Sequence, residues 1–364
     1  MDNEDKKKNH EQRYLDVVFK LLYLIIGMMA IMGVFLYIYV AGVPDILKTS
    51  EDLVVVIDTA SSVNEIKEPV SELWTAPDTS LIAQEKNAAE INYGRQLISK
   101  TSYFLGPHGT VAQISNGMNC QNCHLDAGTK PFGNNYSAVA STYPKFRERS
   151  GMNESIYKRV NDCFERSLNG KGLDTLGKEM QAIKAYIVWL GKGVKKAEKP
   201  KGVGLTELKY MDRAADPEKG KLVYAEKCLS CHGVNGEGKY DEKTFAYQYP
   251  PLWGEHSYNI GAGLYRLSRF AGYVKSNMPF GVSHDNPQLT DEQAWDVAAF
   301  VNSQERPSKD LGKDWPKIGG KPVDHPFGPY ADNFSEKQHK YGPFGPIADF
   351  KKKNKDKKSD KGKK

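Results

Sequence analysis

Hydrophobic positions form one long uninterrupted run near the start of the chain. Residues 21–43 hold 23 positions without a charged side chain, and at ~1.5 Å per residue such a helix crosses a ~30 Å hydrocarbon core. Basic residues precede the run, at positions 6, 7, 8, 13 and 20, and the next one after it is Lys48. This asymmetry predicts a membrane anchor with a cytoplasmic N-terminus and an exported body. A cleaved signal peptide is the alternative, although its apolar region spans only ~7–15 residues.

Shorter segments with helical periodicity start near Leu81 and recur in two halves, separated by a lysine- and glycine-rich linker at 192–204. The halves end in similar helical segments, EMQAIKAYIVWL and EQAWDVAAFVNS, in which Tyr186 aligns with Phe300. Asp216 and Pro217 are typical of an N-cap and first turn at the start of the second half. The predicted segments are a cytoplasmic N-terminus (1–20), a transmembrane anchor (21–43), a spacer (44–80), a first domain (81–200), a second domain (201–306), a loop-like segment that wraps over both domains (307–350) and a lysine-rich tail (351–364).

Charge is concentrated at the C-terminus. Residues 351–364 hold nine lysines and two aspartates, whereas the whole chain has a formal net charge of +6, so the remainder is close to neutral. A run of like charges predicts a solvated, disordered tail, and attraction to an acidic partner or membrane surface is the alternative. The tail has no interleaved aromatic residues, so no nucleic-acid partner is expected.

Four of the five cysteines lie in two CxxCH motifs, the attachment signature of c-type haem. In this motif the two thiols bond covalently to the haem and the following histidine binds its iron. The predicted groups are Cys120, Cys123 and His124, then Cys228, Cys231 and His232. Neither a zinc site nor a pair of disulfides explains why a histidine directly follows each cysteine pair. We therefore predict two covalently attached haem c groups, whose attachment outside the cytoplasm agrees with the predicted export.

The order of an opening helix, CxxCH, loops and a closing helix resembles the cytochrome c fold. This resemblance implies an all-α protein with two cytochrome c-like haem domains behind the transmembrane helix. In the second half, Met278 lies 46 residues after His232 and 22 before Phe300, where a methionine sulfur would suit an electron-transfer haem. The alternatives are that Lys275 is the ligand, or that Met278 is a buried methionine without iron contact.

The same spacing applied to the first half places a cysteine at the distal position. Cys163 lies 39 residues after His124 and 23 before Tyr186. A thiolate ligand lowers the haem potential and is also a nucleophile. The alternatives are that Cys163 is a plain buried thiol, or that His108 is the distal ligand.

Basic residues surround Cys163 in the sequence. If residues 156–168 are helical, Arg159, Cys163 and Ser167 share one face, because positions four apart are neighbours on a helix. Positive charge beside a thiolate favours its ionised form and binds anions, which points to a small, sulfur-containing dianion. An ordinary solvated face paired with nearby glutamates is the alternative. The arginines concerned are Arg147, Arg149, Arg159 and Arg166.

Three stretches, NGMNCQNCHLDAGT, YPKFRERSGMNESIYKRVNDCFERSLNG and AIKAYIVWL, resemble thiosulfate dehydrogenase, a dihaem family that joins two thiosulfates into tetrathionate. The resemblance extends to the segment PFGPYADNFSEKQHKYGPFGPI. It implies a catalytic first haem ligated by His124 and Cys163, with Arg149, Arg159 and Ser167 binding the anion. Some members carry a lysine directly before the second-haem methionine, where this chain has Asn277, which puts ligand exchange at that haem in doubt. An external c-type cytochrome or a membrane redox partner would receive the electrons.

Two other functions fit parts of the sequence. A membrane-anchored dihaem electron carrier without substrate chemistry explains the anchor and both haem motifs, but it leaves Cys163 and its arginines without a role. A haem enzyme that loads thiosulfate onto a carrier protein explains the cysteine, but it needs a partner that the sequence does not reveal. Turnover of thiosulfate without a carrier protein distinguishes the dehydrogenase from both.

Overall fold

The computed structural model describes residues 2–41 and 73–361, which belong to two separate compact units. The first unit contains one helix, α1 (Asp2–Ala41). Within α1, the stretch Asp16–Phe35 is long and apolar enough to cross a membrane, with a mean hydropathy of 2.3. Residues 2–20 of the predicted cytoplasmic segment form the first part of α1. Most of the predicted spacer, up to residue 72, lies outside the described residues.

Nearly all the regular secondary structure of the second unit is helical, as the sequence predicts. Two small antiparallel hairpins, β1 with β2 and β3 with β4, interrupt the helices. The strands are β1 (Lys145–Arg147), β2 (Met152–Glu154), β3 (Lys239–Asp241) and β4 (Ala246–Tyr249). The helices are α2 (Ala88–Ser99), α3 (Thr101–Leu105), α4 (Leu125–Gly128), α5 (Val139–Thr142), α6 (Ile156–Arg166), α7 (Lys178–Leu190), α8 (Pro217–Lys227), α9 (Leu229–His232), α10 (Leu267–Asn277), α11 (Asp291–Ser303), α12 (Glu336–Tyr341) and α13 (Gly345–Lys361). Short 3-10 turns lie at Thr79–Gln84, Cys120–Asn122, Gly263–Tyr265 and Ile318–Gly320.

The two halves of this unit repeat one helix crossing. In the first half α2 packs on α7, and a Cβ atom built on Gly94 would lie 1.9 Å from the Ala182 carbonyl oxygen and 2.9 Å from Cβ of Tyr186. In the second half α8 packs on α11, and a Cβ atom on Gly220 would lie 1.9 Å from a backbone oxygen of α11 and 2.9 Å from Cβ of Phe300. Tyr186 and Phe300 therefore occupy equivalent positions, which confirms the alignment predicted from the sequence.

Because the helix backbones touch at these glycines, Gly94→Ala should force α2 and α7 apart. We expect a loss of about 1–3 kcal/mol in the free energy of unfolding, the usual cost of overpacking a tight contact. Gly193→Ala is the matched control, since a Cβ atom there meets nothing within 4 Å. Thermal unfolding of the haem-loaded proteins measures the difference, and equal midpoints for the two variants would contradict the close crossing.

The C-terminal segment contacts both halves. Asp314 accepts two hydrogen bonds from Arg166 of α6, at 2.9 and 2.8 Å. Asp324 accepts hydrogen bonds from Nε and Nη2 of Arg266, at 2.9 and 2.6 Å, in the second half. The segment therefore binds one arginine in each half through a carboxylate. Asp324 is buried and Asp314 is half-buried.

Residues 307–335 are loops apart from the 3-10 turn Ile318–Gly320, as expected, whereas the expectation of a disordered tail is wrong for residues 351–361. Residues 336–341 and 345–361 form α12 and α13, so the helix continues through most of the lysine-rich tail. Lysine is a good helix former, and α13 starts against the folded body through Ile347, which is fully buried. Packing at one end thus extends a helix that the charge pattern alone does not predict.

Candidate functional site

The residues that the sequence predicts to hold the first haem and to bind the anion line one cavity of about 320 Å³. They come from the CxxCH segment, the loop of the β1–β2 hairpin and α6. These residues are Cys120, Cys123, His124, Arg149, Arg159, Cys163 and Ser167. Residues far apart in the sequence are thus brought to a single site.

The first CxxCH motif presents a histidine with a fixed tautomer. His124 Nδ1 lies 2.5 Å from the Asn134 carbonyl oxygen, so Nδ1 donates. Nε2 has only a long contact, 3.5 Å from Asn134 Nδ2, and can turn its lone pair to a metal. The ring also stacks on Tyr136, with 4.5 Å between ring centroids. Burial lowers the pKa of His124 to about 4, which keeps the imidazole neutral. These features fit the proximal histidine of a haem c.

The second motif repeats this arrangement. His232, at the end of α9, is buried, and its Nδ1 lies 2.9 Å from the Pro250 carbonyl oxygen. Burial lowers the pKa of His232 below its ordinary value, which keeps the ring neutral. With Nδ1 donating to Pro250, Nε2 is again available to bind a metal. Cys228 and Cys231 lie within one turn before it. Met278 directly follows α10 and packs, half-buried, against the hydrophobic core.

The alternative ligands are engaged elsewhere in the structure. Lys275 Nζ donates to the Leu289 carbonyl oxygen at 2.7 Å and forms an ion pair with Asp291 Oδ1 at 2.7 Å. His108 is exposed and lies against Phe245, with 4.7 Å between ring centroids. Lys275 would have to leave these partners, and His108 does not line the cavity of Cys163, so both alternatives require rearrangement.

Helix α6 orients the cysteine. It begins after Ser155, whose hydroxyl accepts the Lys158 backbone N–H at 3.2 Å, and it ends immediately before Ser167. Helical spacing places Arg159, Cys163 and Ser167 along one face, and all three line the cavity. The pKa of Arg159 is raised above its ordinary value, mainly by the charge of the nearby Cys163 sulfur.

The β1–β2 hairpin supplies two more cations, and the sequence analysis does not predict this hairpin. Arg147 lies at the end of β1 and Arg149 in the following turn, and both line the cavity. Arg149 Nη1 donates to the Gly261 carbonyl oxygen at 2.9 Å, and its guanidinium lies 5.8 Å from the ring centroid of Trp315. Burial, with Arg166 and Arg159 nearby, lowers the pKa of Arg149 to about 10. The group stays charged at neutral pH, and a bound anion would relieve the repulsion.

Two cavity arginines come from the second half of the chain. Arg266 and Arg269, at the start of α10, line the same space as Cys163, and nothing in the local sequence signals this. Arg166, in contrast, which the sequence places near the cysteine, is held by Asp314 and does not line the cavity.

Two family models match the chain. The model described as "SoxA/TsdA, cytochrome c domain" matches residues 110–195, and the model described as "Cytochrome c" matches residues 217–305. One match falls within each predicted haem domain. The prediction of two cytochrome c domains with two covalently bound haem c groups is confirmed.

Individual proteins are similar over most of the folded body. The thiosulfate dehydrogenase of Psychrobacter arcticus is 36% identical over 270 residues, which is 73% of this chain and 76% of that protein. That of Allochromatium vinosum is 34% identical over 245 residues, 66% of this chain and 87% of that protein. A solved structure, "Thiosulfate dehydrogenase (TsdBA) from Marichromatium purpuratum" in the "as isolated" form, superposes with a TM-score of 0.60 and 31% identity. The match covers 65% of this chain and 50% of that one.

Proposed function

Because this chain belongs to the thiosulfate dehydrogenase family, we propose that it oxidises thiosulfate to tetrathionate in the cavity of its first half. The observation that carries the proposal is the common cavity of Cys163, Arg149, Arg159 and Ser167. It combines a sulfur nucleophile, two guanidinium groups and a hydroxyl beside the first haem attachment site. An electron carrier has no need of such a set.

The proposed ligands divide between the two haems. The first haem would be held by Cys120, Cys123 and His124, with Cys163 as a second proposed iron ligand. The second haem would be held by Cys228, Cys231 and His232, with Met278 as a second proposed iron ligand. When bound, the haems supply the acceptors for the two electrons that the oxidation releases.

The reaction balances without a proton: two thiosulfate dianions give one tetrathionate dianion and two electrons. In the proposed first step, the Cys163 thiolate forms a sulfur–sulfur bond with the terminal sulfur of one thiosulfate, and two electrons leave the site. In the second step, the terminal sulfur of another thiosulfate attacks the sulfur bonded to Cys163. The thiolate is the leaving group, and tetrathionate is released.

Charge neutralisation is the main task of the surrounding residues. Two dianions repel each other, although their terminal sulfur atoms must meet. Arg149 and Arg159 bind the charged sulfonate oxygens, and the Ser167 hydroxyl donates a further hydrogen bond. The same groups serve the reverse reaction, so the site also reduces tetrathionate when electrons are supplied.

We also propose that α1 anchors the chain in the inner membrane, with both haem domains on the periplasmic side. The uncharged run, the basic residues before it and the covalent haem sites support this orientation. Electrons then pass to an external c-type cytochrome or to a redox partner in the membrane. Membrane fractionation of the full-length protein tests the anchor, because a signal peptide would be cleaved and leave a shorter protein in the soluble fraction.

The enzymatic proposal is tested with purified, haem-loaded protein, thiosulfate and ferricyanide as an artificial acceptor. We expect two ferricyanide reduced for each tetrathionate formed, without any added protein. A pure electron carrier would give no thiosulfate-dependent reduction. An enzyme that loads thiosulfate onto a carrier protein would give no tetrathionate unless the carrier is present.

Met278→Ala should change the absorption spectrum and potential of the second haem and slow electron exit, because a proposed thioether ligand is removed. Thiosulfate binding at the first site should remain. Met152→Ala is the matched control, because Met152 lies exposed in β2. Redox titration monitored by absorption checks this, and a second haem unchanged in Met278→Ala would rule out Met278 and favour Lys275.

A further inference from the structure

Two separate elements carry the arginines that are proposed to bind thiosulfate. Arg149 lies in the turn between β1 and β2, and Arg159 lies in α6. Three consecutive residues of the C-terminal segment, 314–316, contact both elements, and we call this stretch the clamp. Its contacts set the position of the turn relative to α6, and therefore the position of Arg149 relative to Arg159.

The clamp holds α6 through Asp314. The Asp314 carboxylate accepts two hydrogen bonds from the Arg166 guanidinium, at 2.9 and 2.8 Å. A bidentate pair of this kind fixes orientation as well as distance. Because Arg166 is buried and is the last residue of α6, the pair ties the clamp to the end of the helix that carries Arg159.

The other two clamp residues hold the turn. The Trp315 backbone N–H donates to the Arg149 carbonyl oxygen at 2.7 Å. The Arg149 guanidinium carbon lies 5.8 Å from the ring centroid of Trp315, within the range of a cation–π contact. Pro316 lies against Gly151, where a Cβ atom would come within 2.6 Å of the proline Cγ. Trp315 thus contacts Arg149 at both its main chain and its side chain.

The backbone of Trp315 is strained. Its φ is +62°, a left-handed conformation that a bulky residue adopts rarely and at a cost in free energy. The hydrogen bond to Arg149 supports this conformation, and the indole also lies edge-on to the His325 ring, with 5.5 Å between the ring centroids. Strain of this kind persists where surrounding contacts over-determine it, and it is concentrated at functional sites. The fold therefore keeps the indole against Arg149 in spite of the backbone cost.

The way in which Arg149 is held differs from that of two other arginines. Arg166 and Arg266 are held by carboxylates of the C-terminal segment, which occupy N–H donors and offset the charge. Arg149 is held by the Trp315 ring and by the Gly261 carbonyl oxygen, which lies 2.9 Å from its Nη1. An aromatic face holds a guanidinium without accepting from its N–H groups and without neutralising it. This arrangement suits an arginine whose charge serves a substrate.

We propose that Trp315 is a positioning residue of the thiosulfate site, whose indole holds the Arg149 guanidinium in the cavity of Cys163 and leaves its charge to the substrate. The inference rests on the proposed function and adds to it a residue that does not itself line the cavity. Trp315 acts through Arg149, and Asp314 keeps both in register with α6.

The test is Trp315→Leu in the haem-loaded, full-length protein, alone and combined with Arg149→Gln. Leucine keeps an apolar side chain and the backbone N–H that bonds to Arg149, so the change tests the indole ring. Phe334→Leu is the matched control, because Phe334 is an aromatic residue of the same segment that packs on Phe350, outside the cavity. The measurements are the haem absorption spectra and the dependence of rate on thiosulfate.

Loss of a cation–π contact should raise the half-saturating thiosulfate concentration roughly two- to thirtyfold in Trp315→Leu. The spectrum of the first haem should stay parental, because His124 and Cys163 are unchanged. In the Arg149→Gln background, Trp315→Leu should change the half-saturating concentration by less than about twofold, because the group that it positions is already gone. Trp315→Phe keeps an aromatic face and should recover part of the loss. Phe334→Leu should bind thiosulfate as the parent does.

A parental half-saturating concentration in Trp315→Leu would overturn the inference and leave the proposed function intact. An equal rise in both backgrounds, or an equal rise in Phe334→Leu, would also overturn it, because the effect would then not pass through Arg149. A parent without thiosulfate turnover would refute the proposed function and this inference together. If Trp315→Leu fails to load haem, Trp315→Phe is measured in the same two backgrounds. A rise that disappears in Arg149→Gln supports the positioning role, and the absence of such a difference overturns it.

Discussion

Cys163→Met should lower thiosulfate turnover at least about a thousandfold, the scale of losing a catalytic nucleophile. Both haems should remain attached and redox-active. The reason is chemical, because methionine has no ionisable sulfur and cannot bond to thiosulfate in the proposed first step. A neutral thioether in place of a thiolate should also raise the potential of the first haem.

The contrast with a structural cysteine makes this variant informative. Methionine serves as the proposed ligand at the equivalent position in the second half, so the fold should accept it at Cys163. A cysteine that only fills the core would give changed stability with near-normal rates. The two cases are distinguished by haem content, thermal unfolding, absorption spectra and steady-state rates. Parental turnover with an unchanged first-haem spectrum would remove the basis of the enzyme proposal and favour the anchored electron carrier.

Arg159→Gln should raise the half-saturating thiosulfate concentration roughly ten- to a hundredfold and lower turnover, since a charge-assisted contact to an anion is lost. Among the described residues, its guanidinium makes no hydrogen bond or ion pair with the protein. It also lies close enough to Cys163 for that sulfur to raise its pKa. The substitution should therefore affect the substrate and the thiolate more than the fold.

Steady-state kinetics and thermal unfolding separate these effects. Arg95→Gln, outside the cavity, should match the parent in thiosulfate kinetics, although its side chain lies beside the Tyr186 hydroxyl and its loss can change stability. Arg166→Gln removes the buried pair with Asp314 and should mainly reduce stability. If Arg159→Gln binds thiosulfate like the parent, Arg159 has no part in the proposed anion site.

The features predicted correctly are those that local sequence encodes. Each CxxCH motif is a contiguous stretch, and its chemistry follows from residue type and spacing. Tyr186 and Phe300 could be aligned because both halves repeat one helix crossing at Gly94 and Gly220. Arg159, Cys163 and Ser167 could be placed on one face because helical spacing is regular.

The features that the sequence analysis missed depend on tertiary packing. The sequence places Arg166 beside the cysteine as a fourth cation, but Asp314, 148 positions later, binds it. Arg269 reaches the cavity from α10, more than a hundred positions after Cys163. The short β1–β2 hairpin has only three residues in each strand, too few for a clear alternating pattern. For the two arginines, the residues that they meet lie too far along the chain for a local pattern to reveal them.

Protein-film voltammetry of the haem-loaded protein tests the central claim most directly, because one electrode experiment reports redox at both haems and catalysis together. We predict a catalytic oxidation current when thiosulfate is added and a catalytic reduction current when tetrathionate is added, both abolished in Cys163→Met. Two reversible haem signals that neither compound alters would contradict the account.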